Sequence, residues 1–189
     1  MNINLDFTAI AQEHQQAIDS VFAQSAQIQT ATRLIIETLQ NGHKVLWCGN
    51  GGSAAEAQHM AAELMVRYVK NRRPLASIAL TNDTSILTAH PNDYDFDSLF
   101  ARQVEGLGQT GDFLIGMSTS GTSKNVLNAF AMAKQKGIKT MALVGQNDQA
   151  VKELVDITLK VDSQKTARVQ EGHTVINHLI CEMLDLIFD

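Results

Sequence analysis

From Lys44 onward the chain repeats one unit: a short apolar run, a turn of small polar residues, then a helix-length stretch. Strand candidates are Val45–Cys48, Ser77–Leu80, Phe113–Met117, Thr140–Val144 and Ile157–Val161. Between them lie helix candidates at Ala54–Val69, Thr84–His90, Ser98–Leu107, Ser123–Lys136 and Gln149–Leu154, and a long final one from Ala167 to Phe188. Unbroken apolar runs suit strands buried on both faces, and parallel strands need a crossover between them. The rhythm therefore predicts an α/β fold, a five-stranded parallel sheet sandwiched between helices. Ligands on such sheets bind where the strands end at their carboxyl termini, beside the turns.

Ahead of this repeat, residues 6–41 carry apolar side chains at spacings of three and four, from Ile10 through Ile18, Val21, Ile28 and Ile35 to Leu39. That is the pattern of amphipathic helices, and Gly42 fits a helix C-cap. Two leading helices are more than one layered domain needs, so residues 1–42 read as an extension used in oligomer packing. Pro74 and Pro91 fall in predicted connections, and nothing of linker composition divides residues 1–189 into separate domains.

Composition narrows the function classes. A hydrophobic fraction of 44% supplies an ordinary globular core, and the formal charge of −5 argues against nucleic acid or an anionic membrane as partner. No apolar run is long enough to cross a bilayer, and no basic segment precedes an apolar one near the amino end. Cys48 and Cys181 each sit in an apolar segment far from the other, which predicts buried free thiols. A cytoplasmic protein is expected.

Two turns carry the chemistry. Gly49-Asn50-Gly51-Gly52-Ser53 joins the first strand to a helix, but Ala54 stands where the dinucleotide fingerprint has its third glycine, and no P-loop lysine is present. Three glycines and a capping Ser53 suit a backbone pressed close to a ligand. The second turn, Ser118-Thr119-Ser120-Gly121-Thr122-Ser123, likewise follows a strand and opens a helix, and offers hydroxyls and amides with no arginine. Two helix starts side by side form a phosphate cradle built from neutral donors and helix dipoles. Asn92-Asp93, in a predicted loop after the second strand, is ordinary turn vocabulary and weaker evidence.

Behind the first turn, His59 and Glu63 lie on one helical face at i, i+4. The last helix opens with Arg168, Gln170, Glu171, His173, Asn177 and His178, many polar groups for a largely apolar helix. With His59 and Glu63 they suggest a divalent-metal or acid–base site. Spacing alone does not choose between His173 and His178. Gln170 and His178 are ~12 Å apart along a continuous helix, too far to share one ion without extended side chains or a second subunit. An intersubunit site is therefore expected.

These motifs, taken together and in order, resemble the sugar isomerase (SIS) domain, and within it the sedoheptulose 7-phosphate (phosphoheptose) isomerases. The resemblance covers nearly the whole chain, with Thr81-Asn-Asp-Thr-Ser-Ile-Leu-Thr-Ala and Val169-Gln-Glu-Gly-His adding to it. It implies a single SIS domain with a flavodoxin-like three-layer sandwich, a homotetramer with intersubunit active sites, and one Zn2+ per subunit. It also implies conversion of D-sedoheptulose 7-phosphate to D-glycero-D-manno-heptose 7-phosphate, the start of heptose supply for lipopolysaccharide. By the resemblance Asn50, Gly51, Gly52, Ser53, Asn92, Asp93, Ser118, Thr119, Ser120, Ser123 and Gln170 bind substrate. His59, Glu63, Gln170 and His178 bind zinc, and Glu63 and His178 form the acid–base pair, which selects His178 over His173.

Two positions depart from the family pattern. Glu56 stands where aspartate is usual, and His90-Pro91 precedes Asn92 where small residues are usual. Aldose–ketose isomerisation moves a proton between neighbouring carbons through an enediol, so a carboxylate base, an imidazole partner and a polarising ion fit the chemistry. The alternatives are a non-catalytic branch of SIS proteins that binds the replication initiator DnaA, and an isomerase or sensor of another sugar phosphate. The initiator-binding branch typically lacks the Glu63 and His178 pair kept here.

Overall fold

The computed structural model of the protein describes residues 3–189. Five parallel strands, β1 (Val45–Gly49), β2 (Ser77–Ala79), β3 (Phe113–Ser118), β4 (Lys139–Val144) and β5 (Ile157–Lys160), form one sheet in the order β2-β1-β3-β4-β5. All five coincide with the predicted strands. Side chains alternate between two packed faces. Val45 and Trp47 of β1 enter one core while Leu46 and Cys48 enter the other.

One core is closed by α1 (Phe7–Phe22), α2 (Ser25–Gln40), α3 (Gly52–Met65) and α7 (Thr166–Ile187). The other is closed by α5 (Leu99–Leu107) and α6 (Lys124–Gln135), with α4 (Thr84–Asp93) against α5. The two leading helices are thus part of a layer of the domain. Ile28, Ala31, Ile35 and Leu39 of α2 are buried in the sheet-facing core, and α1 packs on α7. Between α1 and α2, Gln24 acts as a surrogate strand. Its amide donates to the Lys160 carbonyl at 2.6 Å and accepts from the Lys160 amide at 2.9 Å, which covers the edge of β5. Gly42, at φ +78, closes α2 as expected, with His43 N–H donating to the Thr38 carbonyl.

Four local expectations are corrected. Gln149–Leu154 is a run of turns, because six residues recover too few hydrogen bonds to offset helix nucleation. Pro91 lies inside α4, whose last turn contains Asn92 and Asp93, so neither is in a loop. The α3 helix begins at Gly52 with Gly51 as its cap, which puts Ser53 inside the helix. It stops at Met65, short of Val69, because the Arg72 guanidinium takes the carbonyls of Glu63 and Leu64, at 2.9 Å each. Cys48 and Cys181 are free and buried as predicted, and burial pushes both thiols up to about 12.

Candidate active site

In this strand order the connections leave β1 and β3 in opposite directions, which opens a crevice at their carboxyl ends. Gly49 pairs with Met117 across the two strands, so the turns that follow stand side by side. Gly51, at φ +55 and ψ −120, reverses the chain tightly enough for α3 to start on the next residue. Neither α3 nor α6 has a side-chain cap at its start, which leaves their first amides available to a ligand. In the second turn the Ser118 hydroxyl lies 2.9 Å from that of Ser123 and 3.4 Å from that of Ser120. Thr119 sits within this turn, and Gly121 adopts φ +70. Asn50 and Asn125 bind one another across the crevice through both amides.

Gln170, in the first turns of α7, completes the mouth of the crevice. A Cβ added to Gly52 would lie 2.4 Å from the Gln170 amide nitrogen. A side chain at position 52 would therefore push Gln170 off the mouth of the crevice. Below is a cavity of about 350 Å3 lined by Gly52, Ser53, Glu56, Met117, Ala167, Gln170, Glu171, His173 and Thr174. Another cleft, of about 280 Å3, lies at the amino end of β4 around Lys139, the wrong end of a parallel sheet for ligand binding.

Deeper along α3, His59 Nε2 stands 3.2 Å from Glu63 Oε1, and His59 Nδ1 stands 3.4 Å from Glu56 Oε2. The His178 ring meets His59 edge-on at 5.4 Å and tilts against Tyr68 at 5.5 Å. His59, Glu63 and His178 are thus gathered within one protomer, while Gln170 is two helical turns up α7, at the cradle. Their donors are of the N/O kind that zinc accepts, and a carboxylate behind a ligating imidazole is the usual support for one. Among the described residues, no three His, Cys, Asp or Glu side chains converge closely enough to hold an ion.

Asn92 and Asp93 lie in the last turn of α4. Both are exposed at the end of α4, where the Asn92 amide donates to Asp93 at 2.8 Å. The unusual His90 stacks on Tyr94 at 5.2 Å and bonds Ser98 at 2.9 Å, which anchors that helix end. His173 faces the core. It is 1% exposed, neither ring nitrogen is hydrogen-bonded, and burial lowers its pKa to about 4 against the opposing Val144 backbone and Glu56 charge.

Sequence reading missed Asn125, Arg72 and Tyr68, and named Asn177 only among the polar groups at the head of α7. Asn177 alone carried a signal, as a polar residue four places after His173 on the apolar stripe of α7. Arg72 is buried and binds Asp185 at 2.9 Å, and Asp185 also accepts the Val69 and Lys70 amides. That network fastens the end of α3 to α7.

A doubly wound sheet with helix-start cradles at its switch point and an imidazole–carboxylate group behind them defines a sugar-isomerase-domain protein. The sequence model of the SIS domain matches residues 9–145. Curated relatives include phosphoheptose isomerases from a Nitratiruptor species, 51% identical over 93% of this chain and 95% of that one, and from Aliarcobacter butzleri, 51% identical over 91% and 92%. Among solved structures, phosphoheptose isomerase GmhA from Neisseria gonorrhoeae matches with TM-score 0.88 and 38% identity, covering 95% of this chain and 96% of that one. A phosphoheptose isomerase from Francisella tularensis matches with TM-score 0.89 and 37% identity over 95% of each chain. The chain belongs to the phosphoheptose isomerases, aldose–ketose isomerases built on the SIS domain.

Proposed function

We propose that the protein converts D-sedoheptulose 7-phosphate to D-glycero-D-manno-heptose 7-phosphate, supplying heptose for lipopolysaccharide from the cytoplasm. The observation that carries this reading is the placement of the imidazole–carboxylate group behind the cradle on the same helix. His59 lies seven residues past Gly52, about 10 Å along α3, and the Glu63 side chain leans back toward the helix start. That separation suits an extended sugar whose phosphate and reacting carbons are at opposite ends.

In this reading Asn50, Gly51, Gly52 and Ser53 bind the substrate from one side and Ser118, Thr119, Ser120 and Ser123 from the other. Backbone amides and hydroxyls hold the phosphate without a fixed cation, so product leaves readily. Gln170 lies over the sugar, and Asn92 and Asp93 contribute from α4. Glu63 moves the carbon proton and His178 serves the oxygens as acid and base. One Zn2+ per subunit, held by His59, Glu63, Gln170 and His178, would polarise the carbonyl and stabilise oxygen charge.

A homotetramer with intersubunit sites is part of the proposal. Its support is an apolar surface beside the site, where Phe22, Val69 and Leu186 are 54%, 72% and 80% exposed around Glu182. Such exposure on a metabolic enzyme marks an association surface. The initiator-binding reading has no support among the relatives, and this chain keeps Glu63 and His178.

An NMR assay of sedoheptulose 7-phosphate tests the proposal. Turnover with added zinc and its loss with chelator are expected, and Glu63→Gln should lower the rate about 100-fold or more. No turnover with zinc present would overturn it.

A further inference from the structure

We infer that Gly145 is a positioning residue of the phosphate cradle: it sets the tilt of the peptide between Thr119 and Ser120 and so aims the Ser120 amide into the crevice. The inference rests on the reading of the two turns as a phosphate cradle.

Gly145 follows β4, in the connection behind the Ser118–Ser123 turn. Its φ is not positive, so no left-handed backbone calls for a glycine there. Space does. A Cβ on Gly145 would stand 2.6 Å from the Thr119 carbonyl oxygen and 3.3 Å from that of Ser163, both main-chain atoms that no rotamer change can move. The contact is answered close by, where a Cβ on Gly121 would run into the Asn147 carbonyl. Two backbones thus lie one on the other, each with a glycine under the other's carbonyl.

That contact decides which way a free donor of the turn points. Ser118 to Gly121 form a β-turn, closed by the Gly121 amide on the Ser118 carbonyl at 3.0 Å. This bond holds the ends of the turn, and the tilt of its central peptide, Thr119 to Ser120, is set by what the peptide rests on. A trans peptide is planar, so its C=O and N–H point in opposite directions. In the sheet β3 lies between β1 and β4. With the Thr119 carbonyl turned to Gly145 on the β4 side, the Ser120 N–H turns to the β1 side, where the Gly49–Ser53 turn forms the other wall of the crevice. The Thr122 amide is taken by the Ser120 hydroxyl at 3.2 Å and the Ser123 amide by the Ser118 hydroxyl at 3.4 Å. The Ser120 amide donates to no group among the described residues. It is an aimed, unpaired donor beside the start of α6, the kind that binds an anion. A methyl group at position 145 would tip this peptide, moving an acceptor oxygen toward the phosphate and its donor away.

The test uses the full-length protein, 15N-labelled, with inorganic phosphate as the probe. In the unsubstituted protein the Ser120 amide cross-peak should move downfield on phosphate titration. Gly145→Ala should raise the Kd for phosphate about 10- to 100-fold, the loss of one hydrogen bond to a charged acceptor, and raise KM for the sugar phosphate more than it lowers kcat. Gly108→Ala controls for packing alone. Gly108 precedes β3, at the other end of the strand, and its Cβ would stand 2.6 Å from Ile138 Cδ1 and 2.7 Å from the Val104 carbonyl. That variant should lose stability in thermal melts, as Gly145→Ala does, and keep the original phosphate affinity. Unchanged phosphate affinity in Gly145→Ala would overturn the inference, as would an equal loss in Gly108→Ala. If Gly145→Ala fails to fold, the Ser120 amide decides, and a cross-peak unmoved by bound phosphate would overturn the inference. An unsubstituted protein that binds no phosphate would remove the cradle reading and the inference with it. Phosphate binding without isomerase activity would remove only the assigned reaction.

Discussion

Asn50 and Asn125, 75 residues apart in the chain, exchange two amide hydrogen bonds of 2.9 and 2.8 Å across the crevice. One follows β1 and the other opens α6, so the pair ties together the two halves of the phosphate cradle. Asn125 is buried, and its loss leaves both polar groups of the Asn50 amide unpaired. Asn125→Ala should cost about 1–3 kcal/mol of stability and raise KM more than it lowers kcat. Urea unfolding and substrate-dependent initial rates check the two parts.

Gly52 separates fold from function. The atoms a Cβ would meet, the Gln170 amide nitrogen at 2.4 Å and its carbon at 2.9 Å, belong to the end of a flexible side chain. Gly52→Ala should therefore fold with stability within about 1 kcal/mol of the parent, while the displaced Gln170 lowers kcat/KM by about tenfold or more. Thermal melts paired with turnover measurements test this.

The buried His173 makes stability depend on pH. Its pKa is about 4 in the folded chain and about 6.5 when unfolded. The unfolded state therefore binds the proton first as pH falls. Stability should decline from pH 6.5 to about 4, by roughly 3 kcal/mol over that window from this group. His173→Leu removes the proton site and the unpartnered nitrogens, so its unfolding free energy should be flatter across the window and higher at pH 5. Urea titrations at pH 7 and pH 5 give both quantities.

The ion pair of Arg72 with Asp185 has side-chain exposures of 0% and 9%, and Arg72 also binds the carbonyls of Glu63 and Leu64. Arg72→Met leaves Asp185 buried without its cation and frees the end of α3. A loss of about 3–5 kcal/mol is expected, together with reduced turnover because Glu63 lies in the last turn of that helix. Arg72→Lys should restore little of either, since one ammonium does not reproduce the guanidinium's fork. Chemical denaturation and rate measurements on both variants decide it.

Local patterning carried most of the architecture. The five strands were legible because each is an unbroken apolar run between turn residues, and both faces of a parallel sheet are buried. The two cradle turns were legible because close backbone approach and hydroxyl donors need particular residue types in consecutive positions. His59 and Glu63 were legible as a pair because an α-helix puts i and i+4 on one face.

What sequence did not contain were relations between segments. Helical spacing could not separate His173 from His178, because both lie on α7 and only its packing against the sheet turns one ring inward and leaves the other beside His59. The leading helices looked surplus to the domain until the sheet's uncovered face showed where they pack. Arg72, Asn125 and Asn177 act through partners 113, 75 and 121 residues away. Nothing in the neighbourhoods of Arg72 and Asn125 marks them, and Asn177 shows only as a polar residue on an apolar stripe, since a hydrogen bond between distant segments exists only once the core has brought those segments together.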